Sequence, residues 1–571
     1  MKLRHSVVAC CALVLGQGAA GHDLDPSRDP SPLFLLQAPK DGLAYFRLRQ
    51  KALALVAAEN WVEAEQAVDE LVRQYPRDPD NWRLVARTKR RLGKFQEGAA
   101  AARRASPILD QQGPYIEALN YLQAGDRTRA LEALRRGIFQ NGGVIRRFLV
   151  DDFPEFAALR GDPEFRRLTG DIDTSEWSRT QGWQNDLGFF YDEVKRVNPV
   201  YRDKPFPAEF ERLYAQLRRN VPKLSDEQLF MGMQRMLASL QQSHMMLWAD
   251  DRARVPNRWL PLQFYAFPDG LYVVDADEHH RSLIGSKLIS VGNLSAEEAL
   301  RQVARAIRSE GDMAAVWGAA RLSETYNLLG MGAVHSPIQV SLKLQSRNGG
   351  VKAVTLATQS KPFKDRLDKL PAPRGCPAPL SLQTTDKMFW HVPLAHKAVL
   401  YVQVNNLLDT EEETLAAYGD RLWRDIQMTK PRFLVLDLRY NNGGTTQLYP
   451  SLLRSLIAFS RGDGNRLIVL IGRRTYSAAA NLVTDLDRLL DPLFVGEATG
   501  QFGNFFGDPT PVVLPYSRIR GELTAMKWSL TSPTDERREL SPDIPVQLTA
   551  AAYFAGRDPV MEVVEHLIQG Q

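Results

Sequence analysis

The stretch LIVLIGRRTYSAAANLVTDL, residues 467–486, joins a short apolar run to a helix start through a turn that contains one serine, Ser477. The apolar run, residues 467–471, is typical of a strand that is buried on both faces of a sheet. The three alanines after the serine, residues 478–480, favour a helix. Ser477 can therefore cap that helix or act as a nucleophile, and the surrounding sequence must decide between the two roles.

Three further apolar runs share this arrangement within residues 385–571. They are AVLYVQV (398–404), FLVLDL (433–438) and LFVG (493–496), and segments that read as helices lie between them. Continuous apolar runs that alternate with helices predict a mainly parallel sheet covered on both faces. The sequence thus predicts an α/β core in a multidomain chain.

Polar turns follow the runs of this predicted sheet. Asn441, Asn442, Gly443 and Gly444 come after FLVLDL, and Ser477 comes after LIVLIG. In open α/β sheets, ligands bind beyond the carboxyl ends of the strands. The two glycines allow bare backbone N–H groups to face a ligand, and a helix start favours developing negative charge. These turns therefore predict a binding or catalytic site.

The first two thirds of the chain read as three regions. Residues 41–172 are helical, and small and bulky residues recur in them at intervals of 32 or 34 residues. This period resembles tetratricopeptide repeats in about three degenerate copies, although a plain helical bundle is the alternative. Residues 180–250 form a second helical segment, and residues 256–380 read as a β-rich region. Within it, LIGSKLISVGNLSAEEAL loosely resembles a PDZ-type module, and a β-rich spacer fits the pattern equally well.

The composition restricts the class of protein. A formal charge of +5 over 571 residues is too small to argue for a nucleic-acid partner. Residues 1–20 have the pattern of a signal peptide, which predicts a periplasmic or secreted protein without a stable membrane span. Lipid attachment at Cys10 is the weaker alternative, because the apolar stretch before it is short. Cys376 is then the single thiol of the mature chain and is expected to be an inert loop residue.

Four motifs together resemble a known family. LVLDLRYNNGG, TYSAAANL, FVGEATG and LSPDIPV, in this order, are similar to the carboxy-terminal processing (tail-specific) proteases, and most of all to their tricorn-core-like branch. The resemblance covers about residues 180–560. It implies a serine peptidase that acts on proteins or peptides without a metal or cofactor. It also implies a core of the ClpP/crotonase type, a ββα-superhelix, often preceded by a PDZ-like module.

The resemblance also implies roles for individual residues. Ser477 would be the nucleophile, and the backbone N–H groups around Gly443, Gly444 and Ala478 would bind the oxyanion and the substrate. One branch of the family uses a lysine as the base, but residues 499–503, the matching stretch, contain none.

The tricorn-like branch uses a histidine preceded by a serine, and Ser243 and His244 occupy that place. We expect His244 to be the general base, with a pKa near the working pH. An acid near SPDIPV, either Glu536 or Asp535, would complete the relay through Ser243.

Simpler interpretations remain open at this level. Ser477 can be only a helix cap, and His244 can be only a histidine near a helix end. Loss of catalysis would leave a scaffold that binds protein partners through its helical repeats. An ester is a further possible substrate, since the same residues would hydrolyse it.

Overall fold

The computed structural model describes residues 42–76, 78–105, 113–140, 154–170, 172–255, 258–307, 314–364, 369–394 and 398–569. The predicted signal peptide, residues 1–20, lies outside this part of the chain. The described residues form a mixed α/β structure with several sheets, and this confirms the predicted multidomain α/β class.

The N-terminal region consists of helices that follow one another in pairs. Its helices are α1 (Gly42–Ala57), α2 (Trp61–Gln74), α3 (Pro79–Arg91), α4 (Phe95–Arg104), α5 (Gly113–Gln123), α6 (Arg127–Gln140) and α7 (Pro163–Thr169). A 3-10 turn, Pro154–Leu159, precedes α7. We call α1–α6 the helical array. Gly93 and Gly125 both have positive φ, at 73° and 77°, in the turns that close the second and third pairs. These two glycines of the repeat period are therefore turn residues. Their positive φ is a conformation that a residue without a Cβ adopts readily.

The second helical segment packs against the C-terminal part of the chain. It contains α8 (Arg179–Val197), α9 (Ala208–Asn220), α10 (Asp226–Ser239) and the short strand β1 (Met246–Trp248). Ser225 and Gln228 form a capping box at the start of α10, with hydrogen bonds of 3.2 and 3.0 Å. The apolar face of α10 is buried against the other helices of the segment.

The middle region is built on an antiparallel sheet. Its elements are β2 (Leu262–Phe267), β3 (Gly270–Ala276), a 3-10 turn (Glu278–Leu283), β4 (Lys287–Val291), β5 (Leu294–Ser295), α11 (Ala296–Ala304), α12 (Ala314–Arg321), α13 (Thr325–Gly330), β6 (Gln339–Gln345) and β7 (Val351–Ala357). The strand order is β2-β3-β4-β6-β7, with β5 paired to β4. The alternating burial of β6 reproduces the alternation of the sequence.

The C-terminal core carries the parallel sheet. Its elements are α14 (Leu380–Gln383), β8 (Phe389–Pro393), β9 (Val399–Val404), α15 (Leu415–Thr429), β10 (Phe433–Asp437), a 3-10 turn (Thr446–Leu448), α16 (Pro450–Ser460), β11 (Arg466–Ile471), α17 (Ala478–Leu490), β12 (Leu493–Gly496), β13 (Phe506–Val513), β14 (Arg520–Lys527), β15 (Ile544–Pro545), α18 (Ala550–Phe554) and α19 (Pro559–Gln569). The sheet order is β15-β12-β11-β10-β9-β8, and only β8 pairs with its neighbour in the antiparallel sense. Both faces of the sheet are covered by apolar side chains, which explains the uninterrupted apolar runs.

A third, three-stranded sheet connects the second helical segment to the core. Its order is β1-β14-β13, so the strand that follows α10 adds to the edge of the β13–β14 hairpin. Asp186 on α8 strengthens this connection, because its carboxylate accepts the N–H groups of Tyr516 and Ser517 in the hairpin turn, at 2.8 and 2.7 Å. The sheet thereby places the residues just before β1 beside the core.

Among the helices within the described residues, none is both long enough and apolar enough to cross a membrane.

Candidate active site

Ser477 occupies the sharp turn between β11 and α17. Its backbone has φ 57° and ψ −126°, outside the conformations that residues with a Cβ normally adopt. The hydroxyl makes no capping hydrogen bond to the helix, so the simple cap interpretation does not describe this geometry. A strained turn between a strand and a helix is also the setting in which some hydrolases present a catalytic serine.

His244 reaches the core because β1 pairs with β14. The register places Met246 opposite Glu522, and His244 lies two residues before Met246. The imidazole stacks on the ring of Tyr476, with centroids 4.8 Å apart, and lies 6.4 Å from the ring of Phe505 on a nearly parallel plane. Aromatic surfaces therefore hold the orientation of the histidine ring.

The two side chains meet directly. The Nε2 atom of His244 lies 3.1 Å from the Oγ atom of Ser477, and its Nδ1 atom lies 2.7 Å from the backbone carbonyl oxygen of Phe506. A carbonyl can only accept, so the proton must be on Nδ1. The lone pair of Nε2 then faces the serine hydroxyl, which is the arrangement that a general base requires.

Burial lowers the pKa of His244 to about 4, and the hydrogen bond to the Phe506 carbonyl opposes this shift only in part. The sequence-based expectation was a pKa near the working pH. The difference has a physical cause, since a charged imidazole loses its hydration in this apolar setting. No carboxylate is among the contacts of His244 that the structure describes.

Ser243 contacts a neutral side chain, that of Gln501, where the sequence predicts an acid. Ser243 is completely buried, and its hydroxyl lies 2.7 Å from the Phe506 carbonyl oxygen and 2.5 Å from Nε2 of Gln501. The Oε1 atom of Gln501 accepts the backbone N–H of Ser477 at 2.8 Å. Ser243, which the sequence identified, and Gln501, which it did not, therefore connect the histidine side of the site to the serine backbone.

The structure does not bring the two candidate acids to the histidine. Asp535 pairs with Arg537, whose guanidinium lowers the pKa of that carboxyl to about 2. Glu536 is exposed, whereas Ser243 and His244 are buried. A relay through either acid is not formed in this geometry.

The predicted oxyanion donors lie next to the serine. A Cβ on Gly443 would come within 2.6 Å of the Ser477 Cβ and 2.9 Å of the Ala478 nitrogen, so only glycine fits there. The Gly443 N–H donates to the side-chain oxygen of Asn441 at 2.9 Å. Gly444 continues the turn with φ 135° and packs on the backbone of Leu407. Gly443 and Ala478 thus both lie beside the nucleophile, and the N–H of Gly443 already has an acceptor.

Charged residues near the strand ends have structural partners. The buried guanidinium of Arg439 bridges Asp437 and Asp558, with distances of 2.6 and 2.7 Å. Arg473 pairs with Glu497 at 2.8 Å and donates to the backbone of Ala266 in β2, at 2.9 Å. These arginines join the core to its C-terminal helix and to the middle region.

Sequence reasoning missed Gln501, Tyr476 and the carbonyl of Phe506. Residues 499–503 contain no lysine, and a neutral glutamine carries no motif of its own. Tyr476 adjoins the nucleophile, and its hydroxyl lies 3.3 Å from both the backbone nitrogen and Nδ1 of His244. Within the described part of the chain, no group of three or more His, Cys, Asp or Glu side chains is arranged to hold a metal ion.

Comparisons with known proteins extend this description. No family model matches the chain, and no curated protein matches it. Among solved structures, mature CPAF complexed with lactacystin covers 68% of this chain and 98% of its own, with 13% identity and a TM-score of 0.50.

Two further structures are similar. A point mutant of CPAF covers 68% of this chain and 96% of its own, with 12% identity and a TM-score of 0.50. The match with the photosystem II D1 C-terminal processing protease covers 66% of this chain and 98% of that protease, with 16% identity and a TM-score of 0.33. At such identities a likeness shows the fold and not the chemistry. The chain therefore shares the fold of CPAF over 68% of its length.

Proposed function

We propose that the chain is a serine-type peptidase that hydrolyses peptide bonds through an acyl-enzyme, with Ser477 as nucleophile and His244 as general base. One observation carries the proposal. The lone pair of His244 Nε2 faces the Ser477 hydroxyl at 3.1 Å, although the two residues lie 233 positions apart in the sequence. Such a contact at the end of a parallel strand, on a strained turn, fits nucleophilic catalysis better than helix capping.

In the acylation step, the proton of the Ser477 hydroxyl moves to His244 Nε2 while Oγ forms a bond to the scissile carbonyl carbon. The electron pair of the carbonyl moves onto its oxygen. When the tetrahedral intermediate collapses, the carbon–nitrogen bond breaks, and His244 gives its proton to the leaving amine. A water molecule then repeats the sequence on the acyl-enzyme and releases the serine.

The developing oxyanion would be bound by the N–H groups of Ala478 and Gly443. Ala478 is the first residue of α17, where unpaired N–H groups and the helix dipole favour negative charge. The substrate oxygen must displace the side-chain oxygen of Asn441 from Gly443. Gly444 would keep the turn open to the substrate backbone. The acid of the relay, Glu536 or Asp535, stays a prediction from the sequence.

The other regions would deliver substrates to this site. We propose that the helical array is a tetratricopeptide-like surface for a protein partner and that the middle region is a PDZ-like module. The core would have the ClpP/crotonase-type arrangement. The signal-like N-terminus suggests that the protein works after export, in the periplasm or outside the cell.

Labelling with a fluorophosphonate probe tests the proposed chemistry. We expect the probe to form a covalent adduct on Ser477, located by peptide mass mapping, and a quenched-peptide library to contain cleavable members. Ser477→Ala removes both activities. His244→Ala lowers the labelling rate by about 100-fold or more, because a general base contributes that much.

A buried histidine away from the site provides the matched control. His391 bonds to Asp425 at 2.9 Å, so His391→Ala makes the same chemical change without touching the dyad. It should label at the rate of the wild type. Peptide cleavage that persists in Ser477→Ala contradicts the role of Ser477 as nucleophile. A folded wild type that is neither labelled nor active leaves the non-catalytic scaffold.

A further inference from the structure

We propose that Gln501 is a positioning residue of this site, which holds the strained backbone of Ser477 and, through Ser243, fixes the tautomer in which His244 acts as base. This inference rests on the proposed function. Gln501 is completely buried and contacts neither substrate-facing atom of the dyad, so its effect must pass through other groups.

The direction of each hydrogen bond around Gln501 follows from the two ends of the network. The backbone N–H of Ser477 can only donate, so the atom of Gln501 beside it is the oxygen. The amide nitrogen therefore faces Ser243 and donates to its hydroxyl oxygen. The Ser243 hydroxyl must then give its own proton to the Phe506 carbonyl.

The same carbonyl determines the tautomer of the histidine. Phe506 accepts from Ser243 Oγ and from His244 Nδ1, both at 2.7 Å. The proton on Nδ1 leaves the lone pair of Nε2 for the Ser477 hydroxyl. Five residues thus form a closed ring of hydrogen bonds that starts and ends at Ser477. Without the glutamine, the Ser243 hydroxyl could rotate away from the carbonyl and donate to His244 Nδ1, which lies 3.3 Å away, and this would move the imidazole proton to Nε2.

The backbone of Ser477 depends on the same side chain. A residue with a Cβ at φ 57° and ψ −126° is under strain that surrounding bonds must offset. The Ser477 N–H points away from the helix ladder and donates to Gln501. The backbone of Gln501 is held by Thr499. The Thr499 hydroxyl donates to the backbone carbonyl oxygen of Gln501 and accepts the backbone N–H of Leu540, both at 2.8 Å. The core thereby fixes the glutamine before the substrate arrives.

No ionised side chain takes part in this ring. Among the described residues, the titratable group beside the His244 ring is the hydroxyl of Tyr476, and burial is the main cause of the low pKa of the imidazole. Because this ring of hydrogen bonds is neutral, its role can be tested by adding a charge. The substitution Gln501→Glu does so and keeps a side-chain oxygen as acceptor. In Gln501→Glu, the carboxylate can still accept the Ser477 N–H and can also accept the Ser243 hydroxyl.

Two variants test the role of Gln501. Gln501→Met removes both side-chain hydrogen bonds at similar volume, and kcat and the labelling rate should fall by about 100-fold with KM changed less than about twofold, as misplacement of reacting groups does. Gln501→Glu should retain catalysis and move the acidic limb of kcat/KM to higher pH by roughly 1–2 pH units, since a nearby negative charge favours the imidazolium.

The control variant is Gln403→Met. Gln403 is a buried glutamine of β9 that bonds to Ser381 and Asn405 at 2.9 Å, away from the ring, so the same change costs stability without touching the dyad. A Gln501→Met variant with the kcat of Gln403→Met would overturn the proposal.

The double variant Ser243→Ala with Gln501→Met tests whether the two residues form one unit. Members of one ring should give a combined loss close to that of the worse single variant. Losses that multiply would contradict the ring.

A titration of His244 by NMR separates this inference from the proposed function. The His244 signal is identified by its absence in His244→Gln. We expect the Nδ1–H tautomer in the wild type, a mixture of tautomers in Gln501→Met, and a raised pKa in Gln501→Glu. These results do not require turnover. A wild type that is inactive but shows them contradicts only the proposed chemistry, whereas an active wild type whose His244 ignores both substitutions contradicts only the role of Gln501.

Discussion

The pH dependence of turnover follows from the burial of His244. The base must be neutral in the free enzyme, and burial lowers its pKa to about 4 instead of the ordinary 6.5. The acidic limb of kcat/KM, which reports the free enzyme, should therefore have its midpoint near pH 4. At pH 5.5, about 97% of such a histidine is neutral, against about 9% of an ordinary one. The two pKa values therefore predict values of kcat/KM that differ about tenfold at pH 5.5.

The assay is the initial rate of a quenched peptide at concentrations far below KM, between pH 3.5 and 9. Fluorophosphonate labelling over the same range gives a second measure that does not involve a leaving amine. A stability control is needed, because the unfolded chain binds a proton at His244 between pH 6.5 and 4 and the folded chain does not. Stability therefore rises with pH across this window, and by pH 4 the buried imidazole costs the folded protein about 3 kcal/mol.

A limb centred near pH 6.5, in a protein that unfolding curves show to be folded there, would refute this reasoning. It would mean that the imidazole is hydrated or paired with an acid in the active form. If the midpoint near pH 6.5 is seen in kcat but not in kcat/KM, the pKa of His244 is normal only in the substrate complex. The change in its surroundings then follows substrate binding.

Three further predictions concern the surroundings of the dyad. Arg439→Met leaves the buried carboxylate of Asp437 and the partly buried one of Asp558 without their common partner. We expect the core to lose about 3–5 kcal/mol in urea unfolding, so a loss below 1 kcal/mol would contradict the bridge. Asp186→Ala leaves two buried N–H groups of the hairpin turn unpaired, and we expect the free energy of unfolding to fall by about 2–5 kcal/mol. We also expect a lower kcat, because the hairpin docks the strand that follows His244. An unchanged kcat would show that the Asp186 contacts stabilise the hairpin without positioning His244. Glu536→Gln should leave kcat/KM within about twofold of the wild type, because the carboxylate is exposed, and a loss of 100-fold would instead support the relay that the sequence predicts.

The elements of the core are the part of the fold that sequence reasoning reaches best. Apolar runs such as residues 433–438 and 467–472 have few alternatives to buried strands, and helices separate them. β8 was not foreseen, because its half-buried pattern lacks such a run. β1 has three residues, too few for any period, and its partner lies about 270 residues further along the chain. Pairing over that distance depends on tertiary packing, which local patterns do not encode.

The site divides in the same way. Ser477, Gly443 and Ala478 belong to turns that directly follow core strands, so motif and geometry coincide. The assignment of the acid depends on counting residues through a turn-rich loop. In that loop, a local pair with Arg537 determines where the carboxylate of Asp535 lies. Gln501 acts only through neutral hydrogen bonds that exist once the chain has folded.

The β1–β14 pairing also determines when the candidate site can form in a newly made chain. Synthesis produces His244 first and Ser477 much later, yet the strand that docks the histidine segment, Arg520–Lys527, is made after both. A growing chain that ends before this strand lacks the pairing that brings the two side chains together. Under the proposed function, hydrolysis would therefore begin only when the hairpin is complete.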